Sequence, residues 1–208
     1  MLSRRSDTAL SVLVDHMSSQ GPRVTHMRGL LLVKSVENLR AAGLYARYAA
    51  ILDPIVREQV EFSLAASWVP IDVCEQHYAA CDRLGLNDSE IERLGALMAE
   101  GIGNTMMSAL LKSTRAAGVE SNWTALKQCG RFWDRTHIGG GVTLMQVGPK
   151  DSIMEYHGIS LAKSRHWRMG ARTFWLGIAR LAARSAYVRL IPPREADPNR
   201  VAFSGSWV

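Results

Sequence analysis

The chain reads as an α+β protein, with a helical N-terminal two-thirds packed on a C-terminal antiparallel sheet. Three observations predict this class. After Gly139-Gly140-Gly141 the apolar period changes from 3.6 to 2. The alternating segments 142–147 and 152–159 then flank Gly148-Pro149-Lys150-Asp151, a hairpin turn signal. Beyond the hairpin, Trp167, Ala171, Phe174, Ile178, Leu181 and Ala182 share one face of a helix predicted over 165–185. Strands over 187–191 and 200–207 close the chain around a proline-rich loop at 192–198.

The earlier elements follow from spacing and punctuation. Leu10, Leu13, Val14 and Met17 predict a first helix over 7–18, with Ser6 as N-cap and Gly21-Pro22 as stop. This gives an N-terminal helix in 1–22 and a single α+β domain over 23–208. The run Leu30-Leu31-Leu32-Val33 suits a buried strand or a helix start, and strand is the assignment taken. From Ser35 the pattern is helical, interrupted at Gly43, with a new start at Asp53-Pro54. Trp68-Val69-Pro70 forms a junction, because Pro70 disfavours helix for Val69. Asp72 is expected to cap the next helix, which Gly85 ends. Asn87-Asp88-Ser89 caps a helix bearing Ile91, Leu94, Leu97 and Met98, with Gly101 and Gly103 as points of kinking or close approach. Helices over 104–117 and 120–135 complete the first two-thirds.

A length of 208 residues accommodates one substantial core. With 47% hydrophobic and 21% charged residues the composition is globular and excludes wholesale disorder. The net charge of +6 favours anionic partners. Three cysteines, Cys74, Cys81 and Cys129, argue against a disulfide framework and suit a reducing cytoplasm. No run of about 18 apolar residues occurs, so no membrane span is expected.

Trp68-Val69-Pro70, the capped helix after it and the glycine-containing helix over 94–107 resemble a bacterial family of uncharacterised proteins expanded in myxobacteria. The Phe132-Trp133 helix end, the hairpin and Phe203-x-x-x-Trp207 fit it too. That family is distantly similar to the ligand-binding fold of four-vinyl-reductase-like domains, bacterial haem-nitric-oxide sensors and TRAPP transport subunits. The resemblance covers roughly residues 27–207 and implies a fold that encloses a small apolar pocket, or docks a partner, to transmit a signal. Some relatives carry metal-binding cysteines near the domain's end, whereas 185–207 here contains neither Cys nor His. The proximal-histidine and Tyr-x-Ser-x-Arg pattern of the haem sensors is not evident either.

Several constellations bear on chemistry. Cys74-x-x-His77-x-x-x-Cys81 puts soft and imidazole donors on one helix face, a set that suits zinc or haem iron. The cysteines would lie about 10.5 Å apart along the axis, too far to share one ion easily. Burial explains them as well. His137-Ile138-Gly139-Gly140-Gly141 resembles an esterase oxyanion loop, but no Gly-x-Ser-x-Gly elbow accompanies it. Gly101-Ile102-Gly103 lacks the third glycine of a dinucleotide fingerprint. Between Tyr156 and Arg194 there is no acidic residue, yet Arg165, Arg168, Arg172, Arg180 and Arg184 recur there. The first three form a cluster suited to phosphate or carboxylate groups. Trp123, Trp133, Trp167 and Trp175, with Met98, Met106 and Met107, supply bulk for a core or a pocket wall.

These features predict a cytoplasmic, non-catalytic sensor or adaptor that binds a small apolar ligand or an acidic protein partner, with a homodimer or hetero-complex expected. Its pocket would draw on Cys74, His77, Cys81, Trp133 and His137, and its partner surface on the five arginines. No metal site and no cofactor are expected, haem being the main alternative. A nucleic-acid-associated regulator using the helix over 165–184 is the other competing reading. Trp175, Leu176 and Met169 are expected to be exposed beside the arginines, as at an interface centre.

Overall fold

The computed structural model describes residues 10–102, 122–180, 183–192 and 196–208. The strands are β1 (Ser11–Met17), β2 (His26–Arg28), β3 (Trp68–Pro70), β4 (His137–Ile138), β5 (Gly141–Gly148), β6 (Asp151–His157), β7 (Ala186–Ile191) and β8 (Val201–Trp207). The helices are α1 (Gly29–Ala41), α2 (Tyr45–Ile51), α3 (Pro54–Glu61), α4 (Ile71–Arg83), α5 (Asp88–Ile102), α6 (Asn122–Leu126), α7 (Cys129–Thr136) and α8 (Arg165–Arg180). The α+β class is as the sequence predicts.

The larger sheet has the antiparallel order β1-β5-β6-β8-β7, and the smaller one the order β3-β2-β4. Register aligns Leu144, Met154 and Phe203 across β5, β6 and β8, and likewise Val142, Tyr156 and Val201. All six are buried. They make the inner face, over which α8 lies. The turn at Gly148 to Asp151 joins β5 to β6, as the glycine-proline signal requires.

Four local expectations are corrected. The helix predicted over 7–18 is strand β1 across 11–17. Leu10, Leu13, Val14 and Met17 fit a helical repeat, but β1 pairs with β5 through a bulge between Val12 and Val14 that shifts the alternation. Leu30 to Val33 is helical. Leu32, Ser35, Val36 and Leu39 form the buried stripe of α1, which confines the strand to 26–28. The helix over 120–135 is two pieces separated by a turn at Lys127-Gln128. Asp72 lies inside the first turn of α4, where Oδ1 accepts from the Val73 amide at 2.9 Å.

Other signals hold in detail. Asn87 Oδ1 accepts from the Glu90 amide at 3.0 Å while Glu90 Oε2 accepts from the Asn87 amide at 2.8 Å, a reciprocal cap for α5. Ser164 Oγ accepts from the Trp167 amide at 3.1 Å and starts α8. The described part of α8 ends at Arg180, and Ala183 to Ser185 are not helical. The helix expected over 104–117, with Met106 and Met107, lies outside the described residues, as do Gly103, Leu181 and Ala182.

Candidate functional site

A cavity of about 70 Å³ lies between α1, α4, α5, α7, β4 and α8. Leu31, Leu39, Leu94, Met98 and Phe174 give it apolar walls. On α8 the lining residues His166, Gly170 and Phe174 recur every fourth position and so share a stripe. A Cβ on Gly170 would meet nothing within 4 Å, so the missing side chain is part of the open space. On α5, Gly95 does the opposite: its Cβ would come to 3.2 Å from Gly170 Cα and 3.0 Å from Thr173 Cβ. Gly95 therefore lets α5 approach α8 closely beside the pocket.

His137 is one of the lining residues. It follows α7 in extended conformation, and β4 hydrogen-bonds to β2 with Met27 opposite His137. Its ring lies flat against Trp133 at 4.1 Å between centroids and 19° between planes. Trp133 Nε1 donates to the Gly139 carbonyl at 3.0 Å. Gly139 and Gly140 have φ of +86° and +65°, a left-handed turn that glycine tolerates and that carries the chain into β5.

The tautomer of His137 follows from its neighbour. Thr136 Oγ1 donates to the Phe132 carbonyl at 2.8 Å, so it is left to accept at 2.9 Å from His137 Nδ1–H. Nε2 is then an unprotonated lone pair, buried and without a partner. Burial lowers the pKa of this histidine to about 3, so the ring is neutral at neutral pH. Such a nitrogen can accept a hydrogen bond or ligate a metal.

His166, on the second position of α8, was not among the sequence candidates. Its amide donates to Asp82 Oδ1 at 2.7 Å and its Nδ1 is buried without a partner. Its pKa is lowered, chiefly by burial. The signal in the sequence is the fourfold spacing His166-Gly170-Phe174, which runs along the edge of the core face and shares Phe174 with it.

The other proposed pocket residues are placed differently. His77 is fully buried and hydrogen-bonded at both nitrogens, to Tyr48 Oη at 2.5 Å and Ser35 Oγ at 2.9 Å. Cys81 Sγ lies 3.8 Å from His77 Nε2, and Cys74 is buried nearby on α4. Neither cysteine lines the cavity. Burial pushes the Cys74 thiol up to about 12 and raises Cys81 as well, which keeps both protonated. Among the described residues no three His, Cys, Asp or Glu side chains converge as a metal site.

The arginine stripe is largely engaged within the molecule. Arg165 donates to the Leu86 carbonyl at 2.8 Å and pairs with Asp88. Arg168 donates to the carbonyls of Ala162 and Lys163 at 2.7 and 3.1 Å. Arg172 pairs with Glu92 and reaches the Val188 carbonyl at 3.4 Å. The acids missing from the stretch are supplied by α5. Arg180 is exposed at the end of the described helix, and Arg184 is exposed beyond it, so the five do not form one helical stripe. Trp175, expected at an exposed interface, is 3% exposed and donates to Tyr156 Oη. Met169 and Leu176 are half-buried against the core.

Among the described residues no helix is long and apolar enough to cross a membrane. No protein-family model and no curated protein sequence matches the chain. Solved structures do. The Fe(II) unliganded H-NOX protein from K. algicida is 12% identical with a TM-score of 0.59, over 88% of this chain and 97% of that one. An oxygen-binding H-NOX domain related to soluble guanylate cyclases is 13% identical with a TM-score of 0.57, over 87% and 95%. A protein studied for haem redox potential and protein-induced porphyrin distortion is 15% identical with a TM-score of 0.55, over 87% and 100%. The expectation of a domain without a cofactor is overturned by this likeness, since the neighbours are haem proteins. Identities this low speak for architecture, and the chain shares the fold of H-NOX domains.

Proposed function

We propose that this domain is a non-catalytic sensor of a small ligand, and that haem is the cofactor to test first. The observation that carries the reading is the bare, buried Nε2 of His137, a residue that lines an apolar pocket. Thr136 holds the ring through Nδ1, the arrangement by which a protein orients a metal-ligating histidine. The donor set therefore suits haem iron, with Leu31, Leu94, Met98 and Phe174 as apolar contacts for a macrocycle. Bound there, haem would supply an iron able to take a small ligand or exchange an electron. Ligand pockets commonly span about 300–1,000 Å³, so loading would have to widen the space between α1, α5 and α8. The basic face is the weaker candidate for recognition, because Arg165, Arg168 and Arg172 are already engaged.

The test is the visible spectrum of freshly purified protein, followed by titration of the haem-free protein with hemin. A Soret band that saturates at one haem per chain, and is lost or displaced in His137→Ala, is the expected result. Hemin uptake that is unsaturable, or identical in His137→Ala, removes haem ligation by His137.

A further inference from the structure

Behind the α1 wall runs a buried hydrogen-bond chain, Tyr48–His77–Ser35, whose last member lines the cavity. Tyr48 and His77 are 0% exposed and Ser35 is 5% exposed. The direction of the chain can be worked out from satisfaction of its members. His77 is neutral, its pKa lowered to about 3 by burial, and so carries one N–H. If that proton sat on Nδ1, the Tyr48 hydroxyl would accept it and its own proton would lack an acceptor inside the core. With the proton on Nε2, Tyr48 donates to Nδ1 and Nε2–H donates to Ser35 Oγ. Every buried member is then paired, and the remaining donor is the Ser35 hydroxyl proton at the cavity wall.

We infer that Ser35 offers a hydrogen-bond donor to the pocket's occupant, oriented by Tyr48 and His77. The site then selects small, mostly apolar molecules that carry a compact acceptor such as a carbonyl oxygen. This rests on the reading of the cavity as a ligand pocket. His137 Nε2, an acceptor, cannot serve that oxygen, so the two walls make different demands and Ser35 is a specificity determinant rather than a duplicate anchor.

The experiment uses the haem-free full chain and two guests of nearly equal shape, acetone and isobutene, titrated while following the methyl resonances of Leu31, Leu39 and Met98. The acetone-to-isobutene affinity ratio is expected to fall about fivefold in Ser35→Ala, the loss of one hydrogen bond. Taking a ratio cancels any general loosening of the pocket. Long-range ¹H–¹⁵N correlation in the unsubstituted protein is expected to show His77 protonated at Nε2, which needs no variant to fold. A His77 proton on Nδ1, or a ratio unchanged by Ser35→Ala while both guests bind, overturns the inference and leaves the pocket standing. Binding of neither guest overturns the pocket reading and the inference with it.

Discussion

Thr136 Oγ1 stands 2.9 Å from His137 Nδ1 while donating its own proton to the Phe132 carbonyl one turn back in α7. One hydroxyl thereby closes the C-terminal turn of a helix and decides which nitrogen of the next residue is left bare.

Thr136→Val tests that relationship. The isosteric change removes the hydroxyl acceptor and leaves the imidazole N–H only its weaker contact with the Trp133 backbone, with an expected loss of about 1 kcal/mol in urea unfolding. The His137 tautomer, read from ¹⁵N shifts, is expected to become mixed. Unchanged stability together with an unchanged tautomer would show that Thr136 does not hold the ring.

Acid should destabilise the domain well above the usual carboxylate range. His77 and His137 have folded-state pKa values of about 3, below the ordinary 6.5, because burial penalises the imidazolium. The unfolded chain therefore binds more protons between about pH 6.5 and 3. The contribution is complete above pH 6.5 and is lost as pH falls through that window, at up to about 1.4 kcal/mol per pH unit for each histidine. Urea midpoints measured from pH 7.5 to 4.5 are expected to decline steadily. A flat profile across pH 6.5 to 5 would mean that neither ring is held neutral.

The arginines differ in what charge reversal should do. Arg172 is 19% exposed, facing Glu92 at 41%. Arg172→Glu places two carboxylates together and abandons the Val188 carbonyl, so a loss of roughly 1–3 kcal/mol is expected after discounting for solvent screening. Arg180→Glu, on an exposed residue, is expected to stay within about 0.5 kcal/mol. Equal melting temperatures for the two variants would restore the view of the stripe as a free surface.

Two glycine-to-alanine changes should have opposite signs. Gly170→Ala adds a methyl to open space within a helix and is expected to stabilise by about 0.5–1 kcal/mol. Gly95→Ala drives a methyl against Gly170 Cα and Thr173 Cβ, and a lowered melting temperature is expected. Stabilisation by both would place α5 farther from α8 than described.

Local chemistry in the sequence was enough to determine the hairpin at Gly148 to Asp151, the capping of α5 at Asn87, the start of α8 at Arg165 and the closing strands. Each depends on residues within a few positions of one another, so side-chain spacing and turn preference decide it. Of the pocket residues expected from the sequence, His137 lines the cavity, whereas Trp133 stacks on its ring and is not among the lining residues. Three features depended on partners distant in the chain. The segment 11–17 becomes a strand because β5, some 130 residues later, offers it an unpaired edge, which outweighs an apolar spacing equally good for a helix. The arginines of α8 find their acids in α5, so the absence of Asp and Glu between Tyr156 and Arg194 says little about the charge they experience. The pocket itself exists only where α1, α4, α5, α7, α8 and β4 meet. His77 is satisfied at both nitrogens because packing brings the hydroxyls of Tyr48 and Ser35 within 3 Å of it, and no spacing along α4 encodes that.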